Sequence, residues 1–151
     1  MIKHAAIAFV ITTLGLTLLS GSVHAQSKKE TPEEKAFKFR NSLFQTFSWK
    51  LGQLHGAQSA GDEAAFSKHA NDLLVLANMT GEGFQIENSI PEGSRAKPEI
   101  WEDSEGFASK TQDFVAAVAG LTEDGAMESF KVRDFATKNC GGCHREYRNK
   151  K

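Results

Sequence analysis

Beyond Leu19 the chain has no long apolar run, no excess of either charge, no alternation of β-branched residues, and no cysteine outside one pentapeptide. Each absence excludes something. A bilayer span takes ~20 apolar residues, so nothing after the first two dozen residues is expected to cross a membrane. The 18 Lys+Arg and 19 Asp+Glu are interspersed, which describes a solvated helix surface and offers nucleic acid no docking patch. No segment alternates as a strand would, so no sheet is expected. Two of the 3 prolines, Pro91 and Pro98, fall in one glycine-containing stretch from 81 to 98, which reads as a long crossover loop.

What is present begins with a leader. Met1, Lys3 and His4 precede an apolar run from Ala5 to Leu19, and Val23-His24-Ala25 ends in a small-residue cleavage pattern. This is the layout of a secretory signal peptide, so residues 1–25 are expected to be removed on export and 26–151 to form the mature domain. An uncleaved anchor is the competing reading, although the run is short for a span. Lys3 is the only Lys or Arg in the leader, which leaves 17 basic against 19 acidic residues, a net charge of −2. A mature chain of 126 residues (151 less 25) suits one domain around one core.

The fold class expected is all-α, an antiparallel up-down-up-down four-helix bundle. Thr31-Pro32-Glu33-Glu34 is a capping box with proline at the first helical position, and Phe37, Arg40, Phe44, Phe47, Leu51 and Leu54 follow at alternating spacings of 3 and 4. That predicts a first helix from Pro32 to about Gln58. Asp62 caps a second, carrying Phe66, Ala70, Leu73 and Ala77 inward and ending near Gly81. A third starts at Asp103 or Ser104 with Phe107, Thr111, Phe114, Val118 and Leu121 on its inner face. After a break at Thr122 to Gly125, a fourth carries Val132, Ala136, Cys140, Cys143 and Tyr147 on one side.

The two cysteines lie in Cys140-Gly141-Gly142-Cys143-His144, a C-x-x-C-H pattern that attaches c-type haem. Haem presents two vinyl groups and an iron. It therefore needs two thiols a fixed distance apart and an imidazole that reaches the metal, and positions i, i+3 and i+4 of a helix supply all three from one face. A redox dithiol belongs at a helix N-terminus. Zinc needs about four ligands, whereas the other mature histidines, His55 and His69, lie on other helices and no second cysteine pair exists. A plain disulfide leaves His144 unexplained. One covalently attached haem c per chain is expected, with thioethers at Cys140 and Cys143 and iron on His144, in a periplasmic protein, since attachment follows export.

Further segments carry a resemblance. Tyr147-Arg148 follows the haem motif, Phe39-Arg40-Asn41-Ser42 is similar to a Tyr-Arg-Gln-Ser segment, and Lys97-Pro98-Glu99-Ile100-Trp101-Glu102-Asp103 is similar to an Arg-Pro-Glu-Ile-Trp segment. In this order, on four helices, they resemble the class II c-type cytochromes, and specifically cytochrome c prime, over essentially the whole mature chain. One departure is Asn78-Met79-Thr80-Gly81 before Phe84, where a Leu-Pro-Trp type of sequence is often seen. The resemblance implies that Phe44 covers the distal face of the iron, that Arg148 lies near the axial histidine, and that two copies pair through the first two helices, with Trp49 as an outward candidate. Arg40, a cation on an apolar stripe, wants a counter-charge. A haem propionate is its natural partner, with Asn41 beside it and Arg95 and Lys97 as weaker candidates. The bland alternative is an arginine that snorkels to a surface carboxylate.

A sixth ligand would decide the chemistry. Low-spin relatives draw a methionine from the first helix, and this first helix has none. Met127, placed on the same helix as His144, lies 17 residues before it, ~25 Å along the axis, and Met79 ends the second helix. Five-coordinate iron under an apolar lid favours nitric oxide, and CO, over dioxygen, which wants a distal hydrogen-bond donor. The expected protein binds these gases in a protective or buffering role, with one-electron redox chemistry at the iron. It is expected to be no enzyme, having no distal general base. The competing reading is an electron shuttle with an unidentified periplasmic redox partner; a haem-free thiol oxidoreductase stands further off.

Overall fold

The computed structural model describes residues 29–150; the leader and its cleavage site lie outside them. Helix α1 (Pro32–Ala60) opens on the expected capping box, with Thr31 N–H donating to Glu34 Oε2 at 2.8 Å and Glu34 N–H to Thr31 Oγ1 at 3.2 Å. It ends where Gly61 turns left-handed at φ 67° and Asp62 N–H reaches back to Ala57 O at 2.9 Å. Asp62 then accepts from Ala65 N–H and caps α2 (Glu63–Asn78), so only Gly61 and Asp62 separate the two helices. A 3₁₀ turn (Thr80–Phe84) leads into the crossover, which ends in the short α3 (Glu99–Glu102) and then α4 (Ser104–Ala119).

The last quarter is not one helix from its start. A turn of helix, α5 (Ala126–Ser129), is followed by extended backbone at Phe130 and Lys131 before α6 (Val132–Phe135), a π-helical turn (Ala136–Cys140) and α7 (Gly141–Tyr147). Two side chains satisfy carbonyls there. Gln58 Nε2 donates to Met127 O and Phe130 O at 2.6 and 2.7 Å, and Asn139 Nδ2 donates to Phe135 O at 3.0 Å. Phe130 stays buried against Phe66, with ring centroids 5.5 Å apart. Met127 therefore does not share a helix with His144. Its separation comes instead from sitting beside Gln58, 14 residues or ~21 Å along α1 from Phe44.

Ring contacts set the helix directions. Phe107 of α4 lies by Phe84 and Tyr147 at one end, Phe114 by Phe47 in the middle, and Phe130 by Phe66 at the other end. The start of α4 and the end of α7 thus share one end of the bundle with Phe84, and the start of α2 shares the other with Phe130. The core is Leu43, Phe47, Leu51, Leu54 and Ala57 of α1, Phe66, Ala70, Leu73 and Ala77 of α2, Phe114 and Val118 of α4, with Leu121 and Phe130. On α1 the buried stripe passes through Leu43; Phe44, predicted on it, is 37% exposed. No strand occurs among the described residues, only an isolated bridge between Ala96 and Arg148. No described helix is long and apolar enough to cross a membrane.

Lys50 of α1 is buried. Its ammonium meets Asp72 of α2 at 2.5 Å, and Lys68 meets the same carboxylate at 2.8 Å. Hydrogen bonds from these two lysines hold Asp72 down to about 2. A depressed carboxyl contributes stability above its unfolded pKa of about 4 that is lost as pH falls toward 2. Asp72→Asn should therefore flatten the acid limb of a urea-stability profile between about pH 4 and pH 2; a limb of unchanged slope would show that the ion pair does not hold α1 to α2.

Candidate functional site

The π turn delivers Cys140 to the helix that carries Cys143 and His144. Both cysteines are free and half-buried, Cys140 packing against the core and Cys143 lying near Lys110 and Asp113 of α4. Burial raises both thiols above their ordinary value, so neither is a ready thiolate. That environment disfavours a redox dithiol. One residue on, the ring of His144 is exposed at the surface, yet enough protein surrounds it that desolvation, followed by the guanidinium charges of Arg148 and Arg95, lowers its pKa. All three effects act against the imidazolium. They keep a neutral nitrogen lone pair, the form that binds a metal.

The C-terminal turn is strapped to the crossover loop. Lys97 N–H donates to Tyr147 O at 3.2 Å, Asn149 N–H to Arg95 O at 2.8 Å, and Arg95 Nε and Nη2 to Asn149 O at 2.9 and 2.6 Å. Lys97 Nζ donates to Glu146 O at 2.6 Å. Arg148, exposed in this strap, has its pKa lowered by burial and by Arg95. Tyr147 is buried edge-on to Phe107, and its hydroxyl donates to Asp103 Oδ2 at 2.6 Å. Asp103 Oδ1 caps α4 at Gly106 N–H, so one carboxylate starts one helix and anchors another. Sequence reasoning named both residues and missed the bond between them.

An aromatic wall connects the two sides of the site. Phe44 meets Phe84 at 6.3 Å between ring centroids, Phe84 meets Phe107 at 4.8 Å, and Phe107 meets Tyr147 at 5.2 Å. α1 reaches the last segment chiefly through α6, while α7 packs on α3 and α4. Phe44 and His144 thus keep exposed rings on neighbouring segments whose helices do not close on each other. Asn41 is exposed.

Arg40 has a different setting from the surface partner considered above. It is 4% exposed. Nη1 donates to Gly83 O at 3.1 Å and Ser89 Oγ at 2.8 Å, and Nη2 to Ser89 O and to Ser94 Oγ at 3.2 Å. The guanidinium also lies 5.4 Å from the Phe37 ring centroid and 5.2 Å from that of Phe84. Four acceptors match the four Nη hydrogens, which leaves only Nε–H for a further partner. Desolvation lowers its pKa, and no carboxylate pairs with it among the described residues.

The family model for cytochrome c' matches residues 35–148. The chain belongs to the cytochrome c' family. Among similar proteins are a cytochrome c-554 of Cereibacter sphaeroides, 30% identical over 127 residues that cover 78% of this chain and 95% of the relative, and a cytochrome c' of Cereibacter sphaeroides, 30% identical over 129 residues, 78% and 85%. A solved ferrous variant of cytochrome c prime from Alcaligenes xylosoxidans with bound NO has the same fold, with a TM-score of 0.64 at 23% identity over 82% of this chain and 100% of that one. Cytochromes c' carry covalently attached haem c, and it is the cofactor of this chain. The residues fit it: two neutral thiols one turn apart, an accessible neutral imidazole next to them, and a hydrocarbon wall.

The Asp103 bond pushes the phenol of Tyr147 up to about 12 from 10.0. Since Tyr147 is the single tyrosine, ¹³Cζ NMR of tyrosine-labelled holoprotein reads it alone. The titration midpoint should lie near 12, and Asp103→Asn should bring it back toward the ordinary value of about 10; a native midpoint near 10 would mean that the two groups do not meet.

Proposed function

We propose that this is an exported haem c protein that binds nitric oxide, and CO, at an iron whose only protein ligand is His144. Cys140 and Cys143 hold the porphyrin, each thiol adding across a vinyl group to form a thioether. The observation that carries the reading is Phe44, a ring with no lone pair, exposed on the α1 face that adjoins the aromatic wall. The methionines give no support to a sixth ligand. Met127 is fixed beside Gln58, and Met79 caps α2 and packs against the core. Nitric oxide bound in the Alcaligenes xylosoxidans relative supports the same ligand class here. The role is protective or buffering, with one-electron redox at the iron, in the periplasm once residues 1–25 are removed. Arg148 belongs to the proximal side with Arg95, where both favour neutral His144. Arg40 and Asn41 are the candidates for a propionate, Arg40 through Nε–H.

The alternative is an electron carrier with no physiological gas-binding role, and the likeness to a cytochrome c-554 keeps it in view. Intact mass tests the haem attachment that both require and that a haem-free thiol oxidoreductase lacks, and spectra separate the two. Intact mass should equal residues 26–151 plus one haem that survives acid–acetone extraction. Absorption spectra with CO and NO titration should show high-spin iron and gas uptake, whereas low-spin bands with no uptake favour the carrier. Phe44→Ala should speed CO association by roughly tenfold, equivalent to about 1.4 kcal/mol off the barrier; an unchanged rate would remove Phe44 as the lid.

Trp49 of α1 and Val75 of α2 are 55% and 66% exposed. They support a homodimer through these helices. Sedimentation velocity should return the mass of two chains, and Trp49→Lys should shift it toward one; a monomer in the unmodified holoprotein refutes the pairing.

A further inference from the structure

Behind the aromatic wall is a cavity of about 650 Å³, open on one side, between the end of α2, the 80–84 turn, α3 and α4. Phe84, Ile100, Trp101, Phe107, Ala108 and Val115 supply most of its hydrocarbon lining. No charged side chain and no residue of α7 borders it among the described residues, so it is separate from the cysteine–histidine site. Phe84 and Phe107, which line it, also belong to the aromatic wall, and it is Phe84 that meets Phe44.

Two glycines of the turn have opposite explanations. A Cβ on Gly83 would lie 2.7 Å from Arg40 Cβ, so packing against α1 demands glycine there. At Gly81 a Cβ meets nothing within 4 Å, and its φ is not among the positive ones. Neither backbone nor packing requires glycine at position 81, where it borders the cavity and leaves that side unfilled.

We infer that this cavity is an entry chamber for small uncharged diatomic gases and that Phe84 is the ring that turns to admit them to the face of Phe44. The inference rests on the gas-binding reading above. An apolar space without charges takes up neutral diatomics and excludes hydrated anions. Phe47, the other ring against Phe44, is buried between Phe44 and Phe114 at 5.5 and 5.3 Å, whereas Phe84 has open volume beside it. A passage acts on the barrier and not on the bound state. Filling it slows entry and escape alike and leaves the affinity unchanged, which separates it from a lid that clashes with bound ligand.

The test uses holoprotein carrying Gly81→Trp, with Ala108→Phe as a second filling variant on an exposed position of the lining. Flash photolysis should show CO association and dissociation both slowed by roughly tenfold, with Kd unchanged. Xenon-pressurised crystals of the unmodified holoprotein should hold xenon in the cavity, and those of the variants should not. Unchanged CO rates in a variant whose crystal shows the cavity filled, or no xenon in the unmodified protein, would overturn the chamber. Low-spin unmodified protein that takes up xenon but no CO would instead sink the gas-binding reading on which the proposal stands.

Discussion

A guanidinium buried without a carboxylate is the constraint from which the haem end of this bundle follows. Taking an ion out of water costs several kcal/mol even after relaxation, unless its hydrogens are all used. Arg40 comes within one hydrogen of that condition, its four Nη hydrogens meeting neutral acceptors drawn from three places in the crossover: Gly83 in the 3₁₀ turn, Ser89 through both hydroxyl and carbonyl, and Ser94. The loop is thereby pulled onto α1, and Ser89 becomes fully buried. The same guanidinium lies against Phe84, whose carbonyl accepts from Trp101 Nε1 at 2.9 Å. One cation thus positions the ring that joins Phe44 to Phe107 in the aromatic wall.

This explains why a long segment with glycines and prolines is ordered. A crossover of this length would ordinarily be the least constrained part of a bundle. Here one end is held by Arg40 and the other by the strap between residues 95–97 and the C-terminal turn. The strap also brings Arg95 close to His144 and Arg148. Loop placement and the protonation state of His144 are therefore one problem: the backbone pairing that closes the loop sets the charges that keep the imidazole neutral.

The parts of the fold legible in the sequence were those written in local chemistry. The Thr31 capping box, the Asp62 cap, the start of α4 at Ser104 and the inward faces of α2 and α4 all appear as the sequence predicts. Less legible was the choice between adjacent positions, since a period of 3.6 residues allows either Leu43 or Phe44 to face inward after Arg40. The packing chose Leu43 and left Phe44 exposed. The break at Phe130 was invisible because no glycine or proline marks it. It depends on Gln58, some 70 residues away, satisfying the freed carbonyls. Lys50 was likewise unreadable as a buried residue, because only the fold supplies Asp72 as its partner.

The π turn shows why the haem motif could be found while its setting could not. C-x-x-C-H states its own spacing, so attachment needs no tertiary information. Where that turn points is another matter. A π-helical turn widens the helix by one residue and rotates everything after it relative to a regular α-helix. Val132 and Cys140 nonetheless pack on the core and Tyr147 is buried, as the periodicity from Val132 places them, and the bonds of Tyr147 to Asp103 and of Lys97 to the α7 carbonyls fix that orientation. The motif is named by local sequence and aimed by long-range contacts, and those contacts come from the same crossover and α4 start that Arg40 and Asp103 hold in place.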